Sequence, residues 1–178
     1  DTAMDSVVLV DGAVMFQEGT PLGIANPAGA TMRIADVSDV NSNGDLMFLL
    51  DVNLMGGGEA QVVLWNGMLL LQENVTPVTA AGVPPNSVWT GISEVWQNNS
   101  NQILVGGRTG LNTDLLVLIE HDGAGAITNE TLLTIDGLNM AGHNSPVDGL
   151  SLTRTRQSLN DAGPVSYTHL RAHETSID

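Results

Sequence analysis

The 178-residue sequence contains no cysteine and no lysine, and only 3% of its residues are aromatic. Without cysteine, a small fold stapled by disulfide bonds is excluded. No apolar run approaches the roughly 18 to 20 residues that a membrane-spanning helix needs. These absences predict a soluble chain that is stabilised by an ordinary hydrophobic core and has no membrane span.

The charge is strongly one-sided, with 20 acidic residues against 5 basic ones, all of them arginine, and a formal net charge of -15. A surface this acidic repels the phosphates of DNA and RNA and can attract cations. The composition therefore predicts no nucleic-acid partner. Twenty glycines, with many Asn, Asp and Thr residues, indicate a chain rich in turns.

The two ends of the sequence carry separate expectations. The chain begins with Asp1 and shows no basic, apolar leader, so we expect its natural start to lie upstream. Val165–Thr175 reads VSYTHLRAHET, which resembles the translated transposase end and adapter of sequencing libraries. We therefore expect residues 164–178 to be foreign to the protein and to contribute nothing to its fold, and His169 and His173 are not taken as metal ligands.

An internal repeat organises the remaining residues. Val7–Gly12, followed by Gln17-Glu18, reappears as Val62–Gly67, followed by Gln72-Glu73, each 55 positions later. A third copy opens at Leu116–Ile119 after a small shift in register. The spacing predicts repeats at 1–61, 62–115 and 116–163, the last of them truncated.

Each repeat also carries a second polar landmark that predicts a turn. These segments are Asn41–Gly44, Asn98–Asn101 and Asn160–Gly163. Asp11-Gly12 and Asn66-Gly67 predict two-residue hairpin turns, because both positions of a type I′ turn need positive φ. With two hairpins, each repeat is predicted to contain four strands.

Several predicted strands are continuously apolar instead of alternating with polar residues, and these are Val62–Trp65, Met68–Leu71 and Leu115–Ile119. Such runs are typical of a sheet that is covered on both faces. We predict an all-β fold of tandem four-stranded antiparallel repeats that form an incomplete β-propeller-like array. A β-sandwich of about eleven strands is the alternative.

The sequence combines the pattern apolar-Asp/Asn-Gly-apolar-Gln-Glu with the downstream segment Val40–Phe48. In these two features it resembles the repeat of large, exported bacterial propeller-like proteins. The resemblance implies a repeat scaffold and an extracellular or cell-surface location, and it implies no activity. From it we expect a non-enzymatic scaffold or interaction module with a protein or polysaccharide partner. A propeller hydrolase or a carbohydrate-binding lectin, with its site elsewhere in the protein, is the alternative.

One segment matches the opening of a calcium-binding loop. Residues 39–44 match the pattern D-x-[DN]-x-[DN]-G, and an acid follows the glycine. The side chains that could bind calcium are those of Asp39, Asn41, Asn43 and Asp45. The closing acid is absent, because Leu50 occupies the twelfth position. This absence favours a polar hairpin turn, and a calcium site formed by the four residues is the alternative.

The remaining residues that could catalyse a reaction or bind a ligand are histidines and tryptophans. His143 could be paired with Ser145 or Asp148 in a hydrolase, although no nucleophile motif accompanies it. His121 ends an apolar strand before a turn, and we expect it to be solvated. Among Trp65, Trp89 and Trp96, which could stack on sugars, we expect at least two to lie in the core.

Overall fold

A computed structural model describes residues 6–24, 27–110 and 113–137, together with two short strands near the C-terminus. Within these ranges the chain forms β-strands and no helix, so none of the described segments is a helix able to cross a membrane. The strands are β1 (Val7–Val10), β2 (Ala13–Gln17), β3 (Thr31–Val40), β4 (Leu46–Asn53), β5 (Glu59–Trp65), β6 (Met68–Gln72), β7 (Trp89–Gln97), β8 (Gln102–Thr109), β9 (Thr113–His121), β10 (Ile127–Ile135), β11 (Gln157–Leu159) and β12 (Val165–Tyr167).

The described strands form four antiparallel sheets, which confirms the predicted all-β class. One four-stranded sheet has the order β3-β4-β5-β6, and a second has the order β10-β9-β8-β7. Two further sheets are the hairpins β1-β2 and β11-β12. In every sheet, strands that are consecutive in the chain are also neighbours in space.

The two predicted tight turns have the expected backbone conformation. Asp11 and Gly12 have φ of 51° and 78°, and Asn66 and Gly67 have φ of 48° and 78°. Positive φ at both central residues is the property that a type I′ turn requires, and Asx-Gly pairs accept it at little cost. These dipeptides therefore set where β1 meets β2 and where β5 meets β6.

The two hairpins that contain these turns, β1-β2 and β5-β6, pair their strands in the same register. Val8 pairs with Phe16 and Leu9 with Val14, and 55 positions further along Val63 pairs with Leu71 and Leu64 with Leu69. Both hairpins carry their register shift at the same step, between Val8 and Leu9 and between Val63 and Leu64. A β-bulge increases local twist, so the two hairpins are bent in the same way.

A second correspondence links β3-β4 with β7-β8, whose equivalent residues lie 57 positions further along the chain. Met32 pairs with Val52, and Trp89 pairs with Thr109. Both hairpins have two register shifts, which follow Met32 and Ala35 in the first and Trp89 and Ile92 in the second.

The acidic side chains of the Gln-Glu pairs have a structural role that the sequence did not suggest. The Ser6 N–H donates to Glu18 Oε2 at 3.3 Å, and the Gln61 N–H donates to Glu73 Oε2 at 3.0 Å. In both hairpins the glutamate that follows the second strand thus binds a backbone N–H near the beginning of the first strand.

The continuously apolar strand β5 is covered on both faces, as predicted. Val62 and Leu64 contribute to a core shared with β1-β2, whereas Val63 and Trp65 contribute to a core shared with the second four-stranded sheet. Successive side chains of a strand point to opposite faces, so a run with apolar residues at every position serves two cores at once.

The structural units are offset from the sequence repeats. The boundary at 61/62 falls inside β5 and the boundary at 115/116 falls inside β9. Each four-stranded sheet therefore combines the second hairpin of one predicted repeat with the first hairpin of the next. In the segment predicted to be foreign, Val165–Tyr167 forms β12 and pairs with Gln157–Leu159.

Candidate functional site at the turn end of the sheets

The four residues of the calcium hypothesis lie at the turn between β3 and β4. Asn41 organises this turn: its N–H donates to the Asp45 carbonyl at 3.1 Å. Its Oδ1 accepts the N–H groups of Asn43 and Asp45 at 3.0 and 2.9 Å. The Asn41 side chain therefore satisfies backbone donors that a tight turn would otherwise leave unpaired.

The same arrangement recurs at two other turns. Asn98 Oδ1 accepts the N–H groups of Ser100 and Gln102 at 2.9 and 3.2 Å. Asp122 Oδ1 accepts those of Ala124 and Ala126 at 2.7 and 3.0 Å, and these backbone hydrogen bonds lower the pKa of Asp122. The connection between β9 and β10 is thus a turn of the same kind.

The other side chains of the β3-β4 turn bind the protein itself. Asp45 accepts Asn41 Nδ2 on Oδ2 and Asn66 Nδ2 on Oδ1, both at 2.9 Å. Asn43 Nδ2 donates to the Asn99 carbonyl at 3.1 Å. A calcium ion at this turn would have to compete with these hydrogen bonds for the same oxygen atoms.

The β3-β4 turn is also joined to the second sheet. Asn41 Nδ2 donates to the Asn98 carbonyl at 3.0 Å. Gln97, which is buried at the end of β7, donates through Nε2 to the carbonyls of Asp39 and Asp45 at 3.2 and 2.9 Å. The Gln97 N–H also points at Asp39 Oδ2, at 3.4 Å. These contacts tie the two sheets together at one end.

Trp65 and His121 meet at the same end of the molecule. Their ring centroids are 4.5 Å apart with an interplanar angle of 58°. His121 is only 5% exposed, so the expectation of a solvated histidine is wrong. The reason is tertiary, because the indole of the neighbouring sheet covers the imidazole.

The charge state of this cluster follows from its surroundings. Burial lowers the pKa of His121, although the carboxylates of Asp122 and Asp45 oppose the shift. The Gly123 N–H donates to Nδ1 at 3.2 Å, which fixes this nitrogen as an unprotonated acceptor. The amides of Asn41 and Asn66 lower the pKa of Asp45, with a smaller contribution from His121.

The expectation for the tryptophans is confirmed, since two of the three lie in the core. Trp89 is fully buried, Trp65 is 6% exposed, and Trp96 is half-buried. Neither Trp65 nor Trp89 presents an open face to a sugar. His143, Ser145, Asp148 and the third landmark, Asn160–Gly163, lie outside the described residues.

Sequence reasoning missed the residues that join the sheets. Gln97 joins the sheets at the turn end, and Gln61 joins them away from that end, where its Oε1 accepts the Ile92 N–H at 2.7 Å. Neither belongs to a motif. The signal that could have indicated Gln61 is its position immediately before the repeated apolar run.

No family model, curated protein or solved structure matches the chain.

Proposed function

We propose that this chain is part of an exported, β-propeller-like repeat scaffold that works as a non-enzymatic interaction module. The observation that carries the proposal is the recurrence of the same strand register, bulges and glutamate contacts from one repeat to the next. Recurrent units of this kind bury one another's faces, which is the property of a repeat scaffold.

Strand order supports a propeller-like array over a sandwich. Each four-stranded sheet is a meander in chain order, and β1-β2, β3-β6 and β7-β10 follow one another through two apolar cores. Propeller blades are four-stranded sheets that stack in this serial way. Sandwiches of the immunoglobulin type use Greek-key connections, which place non-consecutive strands side by side.

The polar side chains at the turn end support a structural role for that end. Asn41, Asn43 and Gln97 donate to backbone carbonyls of the opposite sheet, and Asp45 accepts two amide groups. These hydrogen bonds stabilise the packing of the two four-stranded sheets against each other. The scaffold proposed here acts through its surfaces, on a protein or polysaccharide partner.

Turnover assays on the purified chain test the non-enzymatic part of the proposal. A panel of chromogenic ester, glycoside and phosphate substrates is incubated with the wild type, with His143→Ala and with a protein-free blank. We expect no product release above the blank, together with saturable binding to an immobilised polysaccharide or protein. Product release above the blank would show an enzyme, and its loss in His143→Ala would assign the activity to that histidine.

Cell fractionation tests the export part. We expect the full-length natural protein in the culture medium or the cell envelope, as the resemblance implies. A protein confined to the cytoplasmic fraction would contradict export and would leave the scaffold proposal standing.

A further inference from the structure

The hairpin β1-β2 has one buried and one open face, and both are apolar. On the buried face, Val8 and Phe16 are 9% and 7% exposed and pack against the first four-stranded sheet. On the open face, Val7, Leu9 and Val14 are 49%, 58% and 59% exposed. Leu9 pairs directly with Val14, so the exposed side chains form one continuous patch.

The chain itself shows how such a face is covered. The counterparts of Val7 and Leu9 in the next repeat are Val62 and Leu64, and both are fully buried. They are covered from the side of β1-β2, in the core that contains Val8 and Phe16.

The chain also shows what pairs with the strand edge. Leu64 of β5 pairs with Phe48 of β4, and Val62 pairs with Leu50. Among the described residues, no strand pairs with the edge of β1 that faces away from β2. Natural proteins protect free strand edges with charges or proline, and Val7–Val10 contains neither.

We propose that the edge of β1, with the side chains of Val7 and Leu9 beside it, forms a docking surface for a β-hairpin of the β3-β4 type, supplied by another unit of the same repeat. The hairpin adds antiparallel to β1 in the register in which β4 pairs with β5. Strand addition supplies backbone hydrogen bonds, and it places Val7 and Leu9 beside apolar cross-strand neighbours, as Val62 and Leu64 lie beside Leu50 and Phe48. This inference rests on the proposed repeat scaffold, because it uses the correspondence between β1-β2 and β5-β6.

The test uses the full chain and a synthetic peptide with the sequence of residues 31–53. Hydrogen exchange of the Val7–Val10 amides is measured with and without the peptide. We expect at least about tenfold slower exchange in β1 with saturating peptide, because pairing removes these amides from water. Exchange in β5, which is already paired, stays unchanged. A scrambled peptide of the same composition is the peptide control.

Substitutions on the open face locate the binding. Val7→Glu and Leu9→Glu place a charge on exposed positions of β1, so circular dichroism should show an intact fold. Each should weaken peptide binding by about tenfold or more, because a carboxylate resists burial. Val75→Glu is the matched control: Val75 is 60% exposed and lies outside this hairpin, and its replacement should leave binding unchanged.

Each alternative outcome is decisive. Unchanged β1 exchange with peptide present, or equal binding by Leu9→Glu, would overturn the docking surface. A different result would be slow exchange of the β1 amides in the absence of peptide while sedimentation shows a dimer. That result would identify a second copy of the chain as the occupant and would overturn the proposed hairpin. None of these results bears on substrate turnover, which tests the proposed function separately.

Discussion

At Gly107 the backbone lies against both another strand's backbone and the core. A Cβ placed there would clash with the Gly91 carbonyl and would lie 3.0 to 3.1 Å from ring atoms of Trp89. Trp89 is fully buried between the sheets, so its ring has no room to move away. The absence of a side chain at position 107 is therefore a packing requirement.

Gly107→Ala should lower the free energy of unfolding by about 3 kcal/mol, because overpacking here displaces backbone as well as the indole. Gly110→Ala is the matched control, since a Cβ there meets nothing within 4 Å, and its effect should stay within about 0.5 kcal/mol. Urea denaturation measures both. Equal effects of the two substitutions would contradict the packing argument.

His121 should make stability depend on pH in the weakly acidic range. Its pKa is lowered by burial below the ordinary value of 6.5, so the unfolded state binds a proton more readily than the folded state. The stability that depends on neutral His121 is therefore fully present above pH 6.5 and is lost as the pH falls towards the lowered folded pKa.

We expect the melting temperature of the wild type to fall between pH 7.5 and 5.5, and that of His121→Gln to change less over the same interval. Differential scanning calorimetry at several pH values measures both profiles. Parallel profiles for the two proteins would show that another group causes the change.

At the scale of the element, the hairpin with an Asx residue at the start of its turn is the unit of this fold. Asn41, Asn98 and Asp122 each accept two backbone N–H groups through Oδ1. Amide and carboxylate both provide this acceptor, which explains why Asp replaces Asn at position 122. The local spacing of i, i+2 and i+4 suffices to form the turn.

The calcium hypothesis belongs to this element, and calcium titration tests it. Because Asn41 Oδ1 and both oxygens of Asp45 already accept hydrogen bonds, we expect millimolar calcium to leave the melting temperature unchanged. A rise with calcium that Asp45→Asn abolishes would instead establish a site at Asp39, Asn41, Asn43 and Asp45, through preferential binding to the folded state.

At the scale of the whole molecule, stability comes from sheets that cover one another in series. The first four-stranded sheet packs against β1-β2 on one face and against the second four-stranded sheet on the other. The Gln97 side chain adds a polar joint at the turn end. By contrast, the described part of the tail is the three-residue strand Val165–Tyr167, which pairs with Gln157–Leu159.

Deletion of residues 164–178 should leave the free energy of unfolding within measurement error, because a two-stranded ribbon of such short strands is marginal in water. Thermal and urea denaturation of the full and shortened chains provide the measurement. A clear loss of stability on deletion would show that the tail packs against the fold and would contradict its expected foreign origin.

The sequence by itself determined the hairpins and the two-sided burial. Asp11-Gly12 and Asn66-Gly67 specify their turns through local φ preferences, and the apolar run Val62–Trp65 specifies a strand covered on both faces. These features depend on neighbours a few residues apart, so they can be read directly from the residue pattern.

Only the tertiary structure decided how hairpins combine and which polar residues meet. The repeat spacing is the same wherever a repeat is taken to begin, so it could not show that the sheets cross the boundary at 61/62. Gln97 reaches Asp39 and Asp45 from a distant part of the chain, and Trp65 covers His121 from a neighbouring sheet. Contacts between residues so far apart in sequence depend on sheet packing, which no local pattern encodes.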